Sequence, residues 1–510
     1  MVYRWKKGEA EARINARIED VEDVEIVEYK RDMSLQNIPI NCAYRVKGVH
    51  LYADIVNLDE MLGTEAETAH KRALRFLNQH YRAVHRILNR VEAIRVDFHN
   101  QRLHAVVAKP YDTEDGAEAM RVHRAVAIAQ LIIDVLRETG SEEDKIEPAQ
   151  VRVGIDTGTA LAVNNGRAGY REPLFLGRPA NHAAKRAGGG AEVGIFLTND
   201  ARKVIGLPAL NDEDGTPLSA AQVAVSQKKA NLGVSKDEIV EEWRQDLDDN
   251  PIGAFEFTRH SPPFRDLVIE DLTPANSRRQ EAISCYADID GFTAYVDRHI
   301  NDNAEDVVRC FHVIRAEMDA VLSMDFGGRK IRFIGDCLHG VMAEGTAFTT
   351  EEEETVSAAV LCAGGLRSSF NLTRQKLEVA GVAVDGLGLQ IGLEYGMITV
   401  TRLGMKGDRI RCSVSRSILA SEAEQGRCAA NDTAIGEAAY NAGTEAVRNL
   451  FGSSRIVSDL DYDVAVLELE NDGDKTAKRA KQAAAAVVYT PAAARSLEAP
   501  VRSHARLPGA

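Results

Sequence analysis

The chain has 510 residues, of which 45% are hydrophobic and 27% charged, and its formal net charge is −15. This length predicts two or three globular domains, and the negative charge argues against nucleic acid or an anionic membrane surface as a partner. The seven cysteines include no C-x-x-C pair, which is typical of free thiols in a reducing compartment. No run is apolar enough to span a membrane, and no apolar segment follows the charged N-terminus. We therefore expect a cytoplasmic protein.

Three short patterns occur twice, in the same order along the chain. They are Tyr52-Ala53-Asp54-Ile55 with Tyr286-Ala287-Asp288-Ile289, Leu103-His104-Ala105-Val106 with Leu338-His339-Gly340-Val341, and Val153-Gly154-Ile155-Asp156 with Ile391-Gly392-Leu393-Glu394. Their offsets are 234, 235 and 238 residues. An offset that drifts this slowly indicates an internal duplication. We therefore predict two homologous domains in tandem, a first copy and a second copy.

The predicted elements have the same order in both copies: strand, helix, hairpin, helix and strand. The first copy has helical patterns near 65–88 and 118–139. The second has helical patterns at 304–323 and 356–370, with a hairpin at 330–343 between them. This alternation predicts an α+β fold in which helices pack against a mixed sheet.

The domain boundaries follow from shifts in composition. We predict an N-terminal arm at 1–42, the first copy at 43–262, a linker at 263–280, the second copy at 281–470, and a mobile Ala-rich tail at 471–510. Within the first copy, residues from about 211 to 250 are predicted to form an insertion, followed by a closing strand at 253–258.

Two carboxylates of the second copy lie where apolar strands are predicted to end. Asp288 leads into the turn Gly291-Phe292-Thr293, and Asp336 follows 48 residues later on the tight turn of the hairpin. Such carboxylates suit Mg²⁺ or Mn²⁺, which prefer oxygen ligands and keep coordination positions for substrate phosphates. We interpret Asp290, between them in sequence, as a solvated or helix-capping carboxylate.

The two motifs resemble the metal site of class III nucleotide cyclases, in which F-x-D-I-x-G-F-T and I-G-D carry two metal aspartates. The resemblance implies that Asp288 and Asp336 hold two divalent ions, with the backbone carbonyl of Ile289 as a further ligand. It also implies that the backbone N–H groups of Gly291, Phe292 and Thr293 face the substrate phosphates. Two tandem ferredoxin-like cyclase domains would then pair as an intramolecular pseudo-dimer, with no further oligomerisation required.

A second family motif, G-D-x-V-N-x-A-x-R, binds ribose and triphosphate from the partner domain. The first copy resembles it at Gly177-Arg178-Pro179-Ala180-Asn181-His182-Ala183-Ala184-Lys185. Asn181 falls on the Asn of the motif and Lys185 on its Arg, although lysine lacks the bidentate fork of arginine. Asn181 lies 27 residues after Gly154, and the same spacing from Gly392 reaches Leu419. The second copy therefore has Leu419 and Ala423 at the two positions.

The metal aspartates of the family show the opposite distribution, because the second copy has both and the first copy has one. Asp54 survives in the first copy, but the second carboxylate falls on Gln101 or on Arg102, depending on where one residue is inserted. We therefore predict one working site, with metal from the second copy and ribose and phosphate contacts from the first. The other site is predicted to be dead or regulatory, with Asp54 as a relic or as the ligand of a regulatory ion.

The family's purine-reading positions carry other residues in this chain. The adenine-reading Lys maps to Asp97 or Phe98 of the first copy, and the adenine-reading Asp maps to Leu174. This loss resembles the pyrimidine cyclases of bacterial antiphage signalling, which make cyclic UMP or cyclic CMP. The resemblance implies UTP as the substrate and a separate effector that is activated by the product. CTP is the alternative, followed by ATP or GTP.

Two other classes of protein compete with the cyclase interpretation. Asp-Ile-Asp-Gly-Phe-Thr also resembles the D-x-D-G-T motif of haloacid-dehalogenase-like phosphatases, but Gly340 occupies the position of their last aspartate. A non-catalytic nucleotide sensor would have the same fold and would bind a nucleotide without converting it. The complementary losses in the two copies favour one composite active site over that sensor. His104 and His339, at matched strand positions, are interpreted as packed structural residues.

Overall fold

The computed structural model describes residues 4–31, 33–35, 38–112, 114–140, 146–164 and 173–488. Within these ranges the first sheet contains β1 (Glu25–Glu28), β2 (Cys42–Ile55), β3 (Ile94–His99), β4 (Arg102–Val107), β5 (Val151–Asn164), β6 (Pro173–Leu176) and β7 (Gly194–Leu197). The second contains β8 (Phe257–Thr258), β9 (Ser277–Asp290), β10 (Arg329–Ile334), β11 (Cys337–Met342), β12 (Gly388–Leu403), β13 (Ile410–Val414), β14 (Asp432–Ile435) and β15 (Ile456–Ser458).

Helices cover these sheets. In the described ranges they are α1 (Lys7–Asp20), α2 (Leu58–Met61), α3 (Glu67–Arg90), α4 (Ala117–Leu136), α5 (Arg178–Ala187), α6 (Asn199–Val204), α7 (Ala220–Ala230), α8 (Lys236–Asp249), α9 (Phe292–His299), α10 (Ala304–Ala320), α11 (Glu352–Val379), α12 (Arg416–Gly426), α13 (Glu437–Ala442), α14 (Glu445–Phe451), α15 (Tyr462–Asn471) and α16 (Lys475–Val488). None of the helices in this part of the chain has the length and hydropathy needed to cross a bilayer.

The two sheets share the order of the first four strands along each path. The first runs β3-β4-β2-β5-β6, and the second runs β10-β11-β9-β12-β14-β15. In each, a hairpin lies at one edge and a long antiparallel pair, β2–β5 or β9–β12, forms the centre. A parallel strand, β7 or β14, adds to the long pair and makes both sheets mixed. The elements predicted for both copies therefore occur in the predicted order.

Alternation along β9 decides which residues meet the helices. Ile283, Cys285, Ala287 and Ile289 are buried in the core that also contains α10 and α11. Tyr286 belongs to a different cluster on the opposite face. Because successive side chains of a strand point to opposite faces, Asp288 shares the face of Tyr286. The aspartate at the end of β9 is thereby turned away from the helical core.

Two glycines confirm that α5 and α12 are equivalent helices. A Cβ on Gly154 would come within 2.1 Å of the Ala183 carbonyl oxygen, and a Cβ on Gly392 within 2.3 Å of that of Ser421. Each helix therefore packs directly on its strand at a point where only glycine fits. The contacted carbonyl lies 29 residues after the glycine in both copies. This agrees with the 27-residue spacing that aligned Asn181 with Leu419.

The hairpins resolve the register that the sequence left open. Ala53 pairs with Leu103, and Ala287 pairs with Leu338. Both hairpins also have a bulge, after Arg95 in the first copy and after Lys330 in the second. Counting from these pairs, Gln101 corresponds to Asp336, Arg102 to Cys337, and Asp97 to Arg332.

Three boundary predictions need correction. The strand predicted at 253–258 to close the first copy is reduced to Phe257–Thr258, which pairs in parallel with β9 of the second sheet. β9 begins at Ser277, so the strand enters the region predicted as a linker. The predicted tail from 471 contains helix α16, where Ala477 and Ala480 are buried against the second copy, and the part of that tail after 488 lies outside the described residues.

The predicted N-terminal arm and the predicted insertion also have regular structure. The predicted arm contains α1, whose Arg13 forms ion pairs with Glu317 at 2.7 Å and Asp325 at 2.8 Å in the second copy. The same arm supplies β1, which pairs with β2 of the first sheet. The predicted insertion contains α7 and α8, and Val223 and Trp243 pack them into the core of the first copy.

Candidate functional site

The turn after β9 is built on a glycine with a positive φ. Gly291 has φ +76°, and a Cβ there would lie 2.3 Å from the carbonyl oxygen of Gly386. Only glycine satisfies both constraints, so the strand can end at Asp290 and α9 can begin at Phe292. Phe292 is buried and anchors the helix in the core. The first N–H groups of α9 therefore open close to the end of the strand that carries Asp288.

Asp288 and Asp336 influence each other electrostatically. Asp336 lies between β10 and β11, directly after Gly335, which has φ +61°. Burial raises the pKa of Asp288 to about 6, and the negative charge of Asp290 adds to the effect. Burial also raises the pKa of Asp336 well above its ordinary value, and the charge of Asp288 raises it further. Two partly buried carboxylates that disfavour each other's ionisation form a site that a cation would stabilise.

The residues present fit a divalent cation of the magnesium type. In the described ranges, no cluster of three or more His, Cys, Asp and Glu side chains is arranged to enclose a metal ion. The protein would therefore contribute the two aspartates and, as expected from the sequence, the carbonyl of Ile289. Mg²⁺ is commonly held by one or two carboxylates, with phosphate oxygens and waters completing its octahedron. Asp290 lies nearby, and its Oδ1 accepts a hydrogen bond of 3.1 Å from Gln390.

The residues expected to contact ribose and phosphate lie on α5 of the first copy. The Asn181 amide donates a hydrogen bond of 2.6 Å to the hydroxyl of Thr293 in the second copy. Lys185 is exposed one turn further along α5, and its charge acts on Asp297 of α9. His182, between them, has Nδ1 3.5 Å from Oδ2 of the buried Asp156. The structure thus brings α5 of one copy onto the turn that follows Asp288 in the other.

Comparison with known proteins identifies the family. Residues 47–218 match the sequence model described as the adenylate and guanylate cyclase catalytic domain. A crystal structure of a class III adenylyl cyclase-like ATP-binding protein from Pseudomonas aeruginosa has a TM-score of 0.91 at 56% identity, covering 92% of this chain and 100% of that one. A uridylate cyclase from Pseudomonas aeruginosa is 55% identical over 511 residues, 99% of each chain. The chain belongs to the class III nucleotide cyclases.

A more distant relative agrees with this assignment. A uridylate cyclase from a Rhizobium species is 40% identical over 446 residues, covering 83% of each chain. The resemblance recognised from the Asp288 and Asp336 motifs is therefore confirmed, and so is the class III cyclase fold. The chain is a nucleotide cyclase, a phosphorus–oxygen lyase, and the phosphatase interpretation is excluded.

The two copies meet at two equivalent junctions, the first between α5 and the turn after Asp288, and the second between α12 and the hairpin beside Asp54. The second junction differs from the first in charge. Arg102 binds Asp54 through two hydrogen bonds, Nε to Oδ1 at 2.7 Å and an Nη to Oδ2 at 2.9 Å. The same guanidinium lies 3.9 Å from Oε1 of Glu422, on α12 of the second copy. Asp54 is thus occupied by a side chain of its own domain, whereas Asp288 faces another carboxylate.

Asp97, at the position of the family's adenine-reading lysine, forms an ion pair between the copies. Arg332 of the second copy lies 2.7 Å from Oδ1 of Asp97 in the first. It also donates to the carbonyl oxygens of Phe98 and Arg411. Leu174, at the other base-reading position, is buried in the apolar core. The two equivalent positions, 97 and 332, therefore meet across the interface.

Sequence reasoning missed a buried arginine near Asp336. The Arg315 guanidinium stacks over the rings of Phe333 at 3.8 Å and Phe311 at 4.4 Å, and its charge offsets a small part of the rise that burial causes in the pKa of Asp336. In the first copy Tyr81 stacks on Phe98, the equivalent of Phe333, and donates to the Asn100 carbonyl. In the second copy the guanidinium of Arg315 thus lies near the hairpin turn that carries Asp336. In the first copy the neutral phenol of Tyr81 lies near the turn that carries Gln101.

The signal for Arg315 was present in the helical pattern. A charged residue on the apolar face of a predicted helix is unusual, because its burial requires a partner.

The thiol of Cys337 is a second residue near the site, and its hydrogen bond lowers the pKa of Asp288 against the larger effect of burial. His104 and His339 stack on Tyr52 and Tyr286 inside the two sheets, as their structural interpretation requires.

Proposed function

We propose that the protein is a uridylate cyclase, which converts UTP to 3′,5′-cyclic UMP and pyrophosphate at one composite site. The observation that carries this proposal is the hydrogen bond between Asn181 of the first copy and Thr293 of the second. It joins the helix with the ribose motif to the turn that follows the metal aspartate. The copies then act as an intramolecular pseudo-dimer that needs no further oligomerisation.

Two observations support UTP as the substrate. The relatives that are 55% and 40% identical to this chain are both uridylate cyclases. Asp97 and Leu174 stand where adenylate cyclases carry the Lys and Asp that read adenine. An acidic side chain cannot donate to the purine ring nitrogen that such a lysine contacts. CTP is the second candidate substrate, followed by the purine triphosphates.

The proposed reaction is an in-line displacement at the α-phosphorus. The ribose 3′-oxygen forms a bond to the α-phosphorus while the bond to the bridging oxygen breaks, and pyrophosphate leaves. Asp288, Asp336 and the Ile289 carbonyl would hold Mg²⁺ or Mn²⁺, which lowers the pKa of the 3′-hydroxyl and neutralises triphosphate charge. The proton of that hydroxyl passes to solvent.

The remaining roles belong to side chains and N–H groups around the triphosphate. Asn181 would leave Thr293 and hydrogen-bond the ribose, which fixes the direction from which the 3′-oxygen attacks. Lys185 would stabilise the charge that develops on the transferring phosphoryl group. The backbone N–H groups of Gly291, Phe292 and Thr293 would bind the β- and γ-phosphates at the start of α9.

The same proposal gives the product a signalling role. Cyclic UMP would act as a second messenger in bacterial antiphage defence and activate a separate effector that binds cyclic nucleotides. Neither nucleic acid nor a membrane is a partner in this proposal, in keeping with the net charge of −15. All seven cysteines are free thiols, which supports a location in the reducing cytoplasm.

The experiment that tests this proposal identifies the cyclic nucleotide that the protein produces. Purified full-length protein is incubated with Mn²⁺ and separately with UTP, CTP, ATP and GTP, and the cyclic products are identified by mass. An Asp288→Ala plus Asp336→Ala variant should lose the product, whereas Asp54→Ala, matched in charge and position, should retain it. Cyclic UMP as the main product supports the proposal, and cyclic AMP or GMP alone contradicts it.

One solved relative is described as an ATP-binding protein, so the same experiment also measures the binding of ATP. Tight binding of ATP without pyrophosphate from any of the four triphosphates would contradict the cyclase assignment and favour a non-catalytic nucleotide sensor.

A further inference from the structure

The second junction contains a positive charge where the first has two carboxylates. Arg102 stands at the position of Cys337, and Gln101 at the position of Asp336, so this half-site has one carboxylate instead of two. The guanidinium contacts both oxygens of Asp54, at 2.7 and 2.9 Å. This fork-on-fork geometry uses the oxygens that a divalent cation would need.

The opposite wall of the same junction is also unsuited to a triphosphate. Leu419 and Ala423 of α12 stand where α5 has Asn181 and Lys185. Glu422 lies beside them and approaches Arg102 at 3.9 Å. An anionic substrate would therefore meet a carboxylate, and would have to compete with Asp54 for the guanidinium of Arg102.

We propose that Arg102 is a resident counter-cation that makes the second junction a permanent contact between the copies, one that takes neither a divalent cation nor a second triphosphate. This inference goes beyond the proposed function because it concerns the junction that the reaction does not use. It also assigns Asp54, which the sequence left between a relic and an ion ligand, to an internal ion pair.

Further contacts of the same hairpin support a docking role. His99, at the end of β3, has Nε2 3.2 Å from the hydroxyl of Tyr286 in the second copy. Arg95, at the start of the same strand, binds Asp408 of the second copy through two hydrogen bonds of 2.7 and 2.9 Å. The hairpin of the first copy therefore contacts the second copy near both ends of β3.

The first test counts bound Mn²⁺ by electron paramagnetic resonance on the full-length chain. Asp54→Asn should bind as much Mn²⁺ as the unmodified protein, whereas Asp288→Asn should lose specific binding. A loss of bound Mn²⁺ in Asp54→Asn would overturn the proposal. A non-hydrolysable UTP analogue should saturate at about one molecule per chain, and a second site abolished by Arg102→Gln would also overturn it.

A gain-of-binding variant gives the complementary test. Gln101→Asp combined with Arg102→Cys rebuilds the Asp336-Cys337 sequence beside Asp54, and should add about one bound Mn²⁺ per chain. A variant with an unchanged circular dichroism spectrum and no added Mn²⁺ would show that Arg102 is not what excludes the cation, which contradicts the proposal. Both tests count ions or analogue molecules. The Mn²⁺ counts therefore do not depend on whether UTP is the substrate that the first junction cyclises, whereas the analogue count does.

Discussion

The amide of Asn181 donates a hydrogen bond of 2.6 Å to the hydroxyl of Thr293, and the two residues belong to different copies of the duplicated domain. Thr293 lies five residues after Asp288, on the first turn of α9. The bond therefore ties the helix that carries Lys185 to the turn that follows Asp288, a proposed metal ligand. A site assembled in this way exists only while the two copies remain in contact.

Asn181→Ala should lower turnover about 100-fold, because the amide would no longer orient the ribose in the transition state. Steady-state kinetics with UTP and Mn²⁺ provides the measurement. Thr293→Val is the matched control: it removes the acceptor of the same hydrogen bond but leaves the amide free to bind substrate. Equal losses in both variants would indicate that Asn181 acts only by joining the two copies.

Lys185→Met should reduce kcat by about 100-fold or more and leave the unfolding midpoint unchanged, because the side chain is exposed. Lys185→Arg should retain most of the activity, since arginine restores the residue of the family motif. Single-turnover measurements separate the chemical step from product release. Full activity of Lys185→Met would remove this lysine from the proposed mechanism.

The part of the site closest to the strands could be predicted from the sequence. The alternation in β9 and the turn residues after it gave the positions of Asp288 and Gly291 without a structure. Gln101 and Arg102 could not be distinguished, because the pairing of Leu103 with Ala53 decides the register and a single inserted residue shifts it. Glu422 was missed because α12 approaches Arg102 only through the contact between copies.

Two errors at the edges of the domains have different physical origins. Phe257–Thr258 is too short for its pattern to specify a partner, and tertiary packing places it beside β9. The tail was assigned from its Ala-rich composition, although alanine has the highest helix propensity. Ala477 and Ala480, three residues apart, form the buried stripe of α16.

Gly291→Ala should destabilise the protein by about 3 kcal/mol, because its φ of +76° and the 2.3 Å approach to Gly386 both oppose a side chain. Gly381 is the matched control, with φ +81° and open space around its Cβ position, so Gly381→Ala should cost about 1 kcal/mol. Urea denaturation measures both. Equal costs would show that the close approach to Gly386 relaxes without strain.

Arg332→Met should destabilise the chain by about 3 kcal/mol, because it leaves Asp97 partly buried without its counter-charge. The Arg332 side chain is 8% exposed and that of Asp97 is 24% exposed. Arg90 and Glu242 form a pair of similar length whose side chains are 45% and 38% exposed, so Arg90→Met should cost less than about 1 kcal/mol. Urea denaturation of both variants provides the comparison, and similar losses would contradict a buried interface pair.

Asp288→Asn should stabilise the metal-free protein at pH 8 by about 1–2 kcal/mol. Burial, with the charge of Asp290, raises the pKa of Asp288 from 3.8 to about 6. Between these values the folded state binds a proton that the unfolded chain does not, so the cost of burying this carboxyl decreases as the pH falls. Above pH 6 the buried charge opposes folding, and the neutral amide removes that cost. The gain should therefore disappear near pH 4.

Thermal unfolding in a chelator, at pH 8 and at pH 4, provides the measurement. Asp54→Asn is the matched control with the opposite sign: it removes a carboxylate that Arg102 already neutralises, so it should lower stability at pH 8. Added Mn²⁺ should raise the melting temperature of the unmodified protein and not that of Asp288→Asn, because only a ligand of the folded state stabilises it. A loss of stability in Asp288→Asn under chelator would mean that its charge is compensated without a cation, as that of Asp54 is.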